Sequence, residues 1–127
     1  MYSDYAKQGV WCLFQSTNGA GGQGRDIFTH VIPGTMQGHA ANNTLWISHA
    51  NASNKYQVFP STFINPSGEV KTTCRQHRTD LVINTIDFSK NGDMYTFIRT
   101  FRHNIRTGEF YRGKKVRDTR SKNRNQL

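Results

Sequence analysis

Aromatic and cationic side chains interleave over one stretch of the chain: Tyr95, Phe97, Arg99, Phe101 and Arg102, then Phe110, Tyr111, Arg112, Lys114 and Lys115. Exposed rings set between cations can stack nucleobases while guanidinium and ammonium groups hold phosphates. Read instead on two paired strands, the same residues put Tyr95, Phe97, Phe101 and Phe110 into a core and leave the cations outside. The stretch lacks the K/R-G-F/Y-G/A-F-V-x-F/Y signature of RNA-recognition domains, so it defines no specific RNA module.

Charge sharpens the question. Residues 1–98 carry seven basic and six acidic side chains, whereas residues 99–127 carry ten basic ones against Glu109 and Asp118, so nearly all of the net +9 is C-terminal. The ten are Arg99, Arg102, Arg106, Arg112, Lys114, Lys115, Arg117, Arg120, Lys122 and Arg124. Such a concentration attracts polyanions, and the expected neighbours are nucleic acid, an anionic membrane surface or an acidic protein surface, with a solvated, solubilising face as the alternative.

Catalytic chemistry finds less support. The five histidines (His30, His39, His49, His77, His103) show no H-x-H, H-x-x-x-H or H-E-x-x-H spacing, so no metal site is expected and no cofactor is implied. His77-Arg78-Thr79 resembles one half of the H-x-T pair of two-histidine phosphoesterases, but no second half follows His30 or His49. Carboxylates are too scarce for paired-carboxylate catalysis, and no G-x-S-x-G elbow is present. The glycine-rich stretch Asn18–Gly24 has no Gly-Lys-Ser/Thr, is not read as a G-x-G-x-x-G element, and no helix is expected to follow it, so it reads as a hairpin loop or a lid. The enzyme reading therefore ranks behind a binding role.

Cys12 and Cys74 fit neither a disulfide scaffold nor a zinc site, and read as two free thiols, with a single bridge between strands as the alternative. Asn42-Asn43-Thr44 and Asn51-Ala52-Ser53 match the glycosylation acceptor pattern and are taken as polar turns. Met1–Gln8 has neither a basic start nor an apolar signal region, and no run is apolar enough to span a membrane. The expectation is a soluble chain of cytoplasmic or intracellular location.

The elements that must position these residues are set by frequent turn signals: Asn18–Gly24, Pro33-Gly34, Asn42-Asn43, Asn51–Asn54, Asn65–Gly68, Asn91-Gly92 and Thr107-Gly108. Between them lie eight segments rich in β-branched and aromatic residues: Gly9–Ser16, Asp26–Ile32, Thr44–His49, Lys55–Phe59, Glu69–Arg75, Asp80–Phe88, Met94–His103 and Glu109–Arg117. Asn91-Gly92 suits a tight hairpin turn, and the last three strands are expected to form an antiparallel meander. Only Tyr2–Gln8 has the look of a helical turn. The fold class expected is all-β, a single antiparallel domain of about eight strands over residues 1–119 with a basic polar tail at 120–127. An up-and-down barrel is preferred, with a sandwich or jelly roll as the alternative.

A short helical turn, then Gly9-Val10-Trp11 in the first strand, then a meander ending in an arginine-bearing strand resembles the lipocalin-like (calycin) barrels. In that superfamily the tryptophan of Gly-x-Trp closes one end of the barrel under an arginine from a late strand. The resemblance gives that role to Trp11 and to Arg112 or Arg117, a guanidinium-on-indole contact. Thr79-Asp80-Leu81 stands where lipocalins carry Thr-Asp-Tyr, without the tyrosine. Two functions are carried forward. One is a non-enzymatic binding barrel whose cavity, lined by Trp11, Leu13, Trp46, Tyr95, Phe97 and Arg99, takes a small apolar or anionic ligand. The other is a structural or assembly subunit of viral or phage type, or a nucleic-acid-binding protein, that uses the C-terminal arginines and lysines; the oligomeric state is left open.

Overall fold

The computed structural model describes residues 1–19, 28–86, 94–107 and 109. Its elements run α1 (Tyr2–Lys7), β1 (Cys12–Thr17), α2 (Phe28–Asn43), β2 (Trp46–Asn51), β3 (Thr62–Ile64), β4 (Val70–Thr73) and α3 (Met94–Thr107). The strands form an open sheet in the order β1-β2-β3-β4, with β1 parallel to β2 and the other two pairs antiparallel.

This overturns the all-β antiparallel barrel. The fold is mixed α/β, its sheet does not close, and adjacent parallel strands require the crossover that α2 supplies. Asp26–Ile32, expected as a strand, runs into α2, and Met94–His103 lies wholly within α3. Lys55–Phe59 is turn-like, and residues 80–86 form no strand. The Asn91-Gly92 hairpin and, Glu109 excepted, the strand Glu109–Arg117 lie outside the described residues, as does the tail.

Helix α2 follows burial rather than local signals, and α3 follows its 3.6-residue periodicity. In α2, Ile32, Met36 and Ala40 recur every four residues and pack on the sheet, which holds the helix together despite Pro33 in its interior. In α3, Phe97, Phe101 and Ile105 fall on one side while Arg99 and Arg102 fall on another, a 3.6-residue period that a strand reading splits across both faces.

Strand alternation puts Ile47, His49 and Asn51 of β2 on the helix-covered face and Trp46, Ser48 and Ala50 on the other. The core joins Met36, Ala40, Leu45, Ile47, Phe59 and Ile64, with Tyr2, Ala6 and Ile32 packed around it. Tyr2 ties α1 to both neighbours, stacking on His39 of α2 at 4.1 Å and donating from its hydroxyl to Gln15 Oε1 at 2.7 Å.

At the carboxyl ends of β1 and β2 a polar network closes the core. Asn51 Oδ1 accepts from the Gly19 amide (2.7 Å), the Ala52 amide (2.9 Å) and the Thr17 hydroxyl (3.1 Å), and Asn51 Nδ2 donates to the carbonyls of Phe59 (2.7 Å) and Gly19 (3.2 Å). Gly19 cannot be replaced here, because a Cβ would stand 2.7 Å from the Phe59 ring. His49, 3% exposed, joins the network with Nε2 2.8 Å from Thr17 Oγ1.

Burial lowers the His49 pKa below its ordinary value of 6.5. The unfolded chain therefore binds this proton at a higher pH than the native state does. Stability from His49 is complete above about pH 6.5 and is lost as the pH falls below it. Thermal melts between pH 8 and pH 5 are expected to show a falling midpoint in the acid half of the range, and His49→Gln is expected to remove that part of the slope. An unchanged slope in the variant would show that His49 is not the group responsible.

Candidate functional site

At the amino end of β1 the chain turns out of α1 through Gly9, whose φ of +84° favours a residue without a side chain. Helix α3 docks against this turn. The Arg99 guanidinium lies 4.3 Å from the centre of the Trp11 ring, and its Nη2 donates to the Val10 carbonyl. One turn on, Arg102 Nη1 donates to the carbonyl of Ala41 in the last turn of α2, where a cation also meets the negative end of the helix dipole. Burial lowers the Arg99 pKa, but a guanidinium stays charged at any physiological pH. Its Nη1 is buried and has no acceptor among the described residues.

Between α1 and α3 this packing leaves a cleft of about 330 Å³ lined by Ala6, Lys7, Gln8, Gly9, Arg99, Thr100 and His103. Among these described residues three can carry positive charge and none is acidic. Asp4 approaches from one side, 3.5 Å from Lys7 Nζ, in an exposed pair that solvent screens. The described lining of the cleft is therefore cationic, with Lys7, Arg99 and His103 around one opening.

A second cavity, of about 200 Å³, lies on the uncovered sheet face beneath residues 80–84. Ser48, Ser61, Thr72, Cys74, Asp80 and Asn84 help to line it. Its polar groups bond largely to one another: Thr72 Oγ1 donates to Asn84 Oδ1 at 2.6 Å, and Ser61 Oγ donates to the Asn51 carbonyl at 3.4 Å. The amides of Arg75 and Leu81, with the Arg75 guanidinium, hold the Asp80 carboxyl below its usual range, so it is an ionised, paired group rather than a proton donor.

Of the residues expected to line a ligand cavity, only Trp11 and Arg99 meet. Leu13 sits on β1, on the helix-covered side of the sheet, while Trp46 lies on the opposite face, stacked on Phe63 at 5.3 Å. Phe97 is 70% exposed on the outer side of α3, and the Tyr95 side chain lies outside the described ones. Arg99 thus takes the place over Trp11 that the barrel resemblance gave to Arg112 or Arg117, which lie outside the described residues. Of the expected polyanion contacts, Arg102 is turned onto the body. The side chains of Arg106, Arg112, Lys114, Lys115, Arg117, Arg120, Lys122 and Arg124 lie outside the described ones.

Sequence reasoning passed over Lys7, which only the docking of α3 brings beside Arg99. It also set aside Asn18–Gly24 because no helix was expected after it, and α2 is that helix. Gly19-Ala20-Gly21-Gly22-Gln23-Gly24 carries the G-x-G-x-x-G spacing of dinucleotide-binding loops. One feature departs from that pattern: β2 ends in Asn51, not an acidic residue. Asn51 and Thr17 are already engaged with each other and with Gly19.

Cys12 on β1 and Cys74 beyond β4 are free thiols at opposite edges of the sheet, and burial pushes the Cys12 thiol up, away from the reactive thiolate. Among the described residues no group of three or more His, Cys, Asp or Glu could hold a metal ion, and no helix is long and apolar enough to cross a membrane. No protein-family model and no curated protein matches the chain.

The Arg99 contact is open to direct test in a Trp46→Phe background, where Trp11 is the sole indole. Arg99→Ala is expected to cost about 1–2 kcal/mol and to shift Trp11 emission to longer wavelength, through loss of the stacked cation and of its hydrogen bond. Arg99→Lys is expected to restore little, because an ammonium cannot lie flat on the ring and donate sideways to Val10. Emission and stability unchanged in Arg99→Ala would show that α3 is not held by this contact.

Proposed function

We propose that the chain is a nucleic-acid-binding protein that uses the cations gathered from Arg99 onward. The observation that carries this reading is the segregation of charge: ten of the seventeen basic side chains fall in residues 99–127, against two acidic ones. The placement of α3 supports it, because the first of these cations, Arg99, and His103 stand beside Lys7 around a cleft with no carboxylate among its described lining residues. A backbone phosphate entering there supplies the acceptors that such a cluster calls for. The other nine cations of residues 99–127 supply further phosphate contacts.

The mechanism is electrostatic and general rather than sequence-reading. Each cation that neutralises a phosphate releases a condensed counterion, so affinity falls steeply and linearly on a log–log plot against salt. Arg99 and Arg102 face protein carbonyls and do not read base edges.

Electrophoretic or anisotropy titrations with labelled DNA at several salt concentrations are expected to give a slope corresponding to several phosphates. Converting Arg112, Lys114, Lys115 and Arg117 together to serine is expected to lower the slope by about one per contacting residue removed, and Lys7→Ala by up to about one more. The melting temperatures of these variants are expected to stay near that of the parent. Absence of binding at low salt, or a slope unaffected by the fourfold change, would overturn the reading.

A further inference from the structure

Residues 81–86, Leu-Val-Ile-Asn-Thr-Ile, hold no charge, no proline and no glycine, and Val82, Ile83, Thr85 and Ile86 are β-branched. That is the composition of a strand. The segment also alternates as a strand does: Val82, Asn84 and Ile86 are half-buried, and Asn84 Oδ1 accepts from the Thr72 hydroxyl at 2.6 Å across the cavity on the uncovered sheet face. Leu81, Ile83 and Thr85 turn the other way. At 82% and 86%, Leu81 and Ile83 are the two most exposed large apolar side chains among the described residues.

What the segment lacks is a ladder. Among the described residues no hydrogen bond uses the backbone amide or carbonyl of any residue from 82 to 86, and the Leu81 amide is held only by the neighbouring Asp80 carboxylate. Native proteins guard a bare strand with lysine, proline or a bulge, and none of these stands in residues 81–86.

These features narrow the occupant. It must offer unpaired backbone groups of its own, with uncharged side chains opposite Leu81 and Ile83, because a charge there would be set against hydrocarbon. The same segment of another copy meets both demands. Asp80, at its start, is already engaged by the Arg75 amide at 2.8 Å and the Arg75 guanidinium at 3.3 Å, so two copies bring no unpaired carboxylate to the seam from this position. Residues 1–98, with seven basic and six acidic side chains, are close to neutral and give two bodies little reason to repel.

We infer that residues 81–86 are an intermolecular strand, which pairs antiparallel with the same residues of a second copy to form a two-fold dimer. Pairing of this isologous kind closes at two copies. It supplies the missing backbone partners and brings Leu81 and Ile83 of both copies into one apolar strip. The inference is independent of the nucleic-acid reading, because it uses none of the cations of residues 99–127.

The test is light scattering with size-exclusion chromatography on the full chain, without nucleic acid, over a dilution series. The mass is expected to be twice that of the chain in concentrated solution and to fall to the monomer on dilution. Ile83→Lys is expected to be monomeric throughout, and to melt with the parent at a dilution where both are monomers, since the exposed side chain packs on little of its own body. Thr85→Lys, at the next exposed position on the same side, is expected to behave alike. Hydrogen exchange is expected to show the amides of residues 82–86 protected in the concentrated parent and unprotected in the dilute parent and in Ile83→Lys. A parent that is monomeric at every concentration, or a dimer that both lysine variants leave intact, would overturn the inference. Protection of these amides that does not depend on concentration would place their partner within the chain, and protection that appears only with added oligonucleotide would place it on nucleic acid; either result would overturn it too.

Discussion

Arg99 lies flat on Trp11 and donates to the Val10 carbonyl, while Arg102 reaches the Ala41 carbonyl one turn further on. An amphipathic helix left to apolar burial alone would turn Phe97, Phe101 and Ile105 toward the body. Here carbonyls are presented where α1 hands over to β1 and where α2 ends, and guanidinium groups satisfy them better than any hydrocarbon could. The orientation of α3 follows from that demand. So does the cleft beside Lys7, and so does the exposed aromatic stripe on the far side of the helix.

The same logic explains why the other end of the sheet is quiet. In folds built on parallel strands the crevice outside the carboxyl ends is the usual place for a ligand. At that end of β1 and β2, Asn51, Thr17, His49 and Gly19 are bonded to one another and to the Phe59 carbonyl, with the Phe59 ring pressed against Gly19. These groups hold the core shut. At the amino end, where α1, β1 and α3 converge, Lys7, Arg99 and His103 line an open cleft instead.

Strands β1, β2 and β4 were legible because Cys12–Thr17, Trp46–Asn51 and Val70–Thr73 are short, bounded by turn residues and rich in β-formers. The helical turn at Tyr2 was legible too. The helix α2 was hidden by Pro33, Gly34 and Gly38, which read as punctuation, and it forms because Ile32, Met36 and Ala40 bury on one side of it. The misreading of α3 had a visible sign. Assigned to a strand, Met94–His103 gave two faces that each mixed arginine with apolar residues, whereas helical spacing separates them. The cation over Trp11 was anticipated in kind but sought on a late strand, since only tertiary docking reveals that Arg99 fills the place. Lys7 could not be found at all from sequence, because 92 positions separate it from Arg99.

The central claim is that the cations gathered in residues 99–127 bind nucleic acid. The most direct measurement is ultraviolet crosslinking of the full chain to an oligonucleotide, with the adducts located by mass spectrometry of proteolytic fragments. The expected result is modification within residues 94–127, competed by unlabelled nucleic acid and weakened by added salt. Adducts confined to Phe14 on the uncovered sheet face would contradict it.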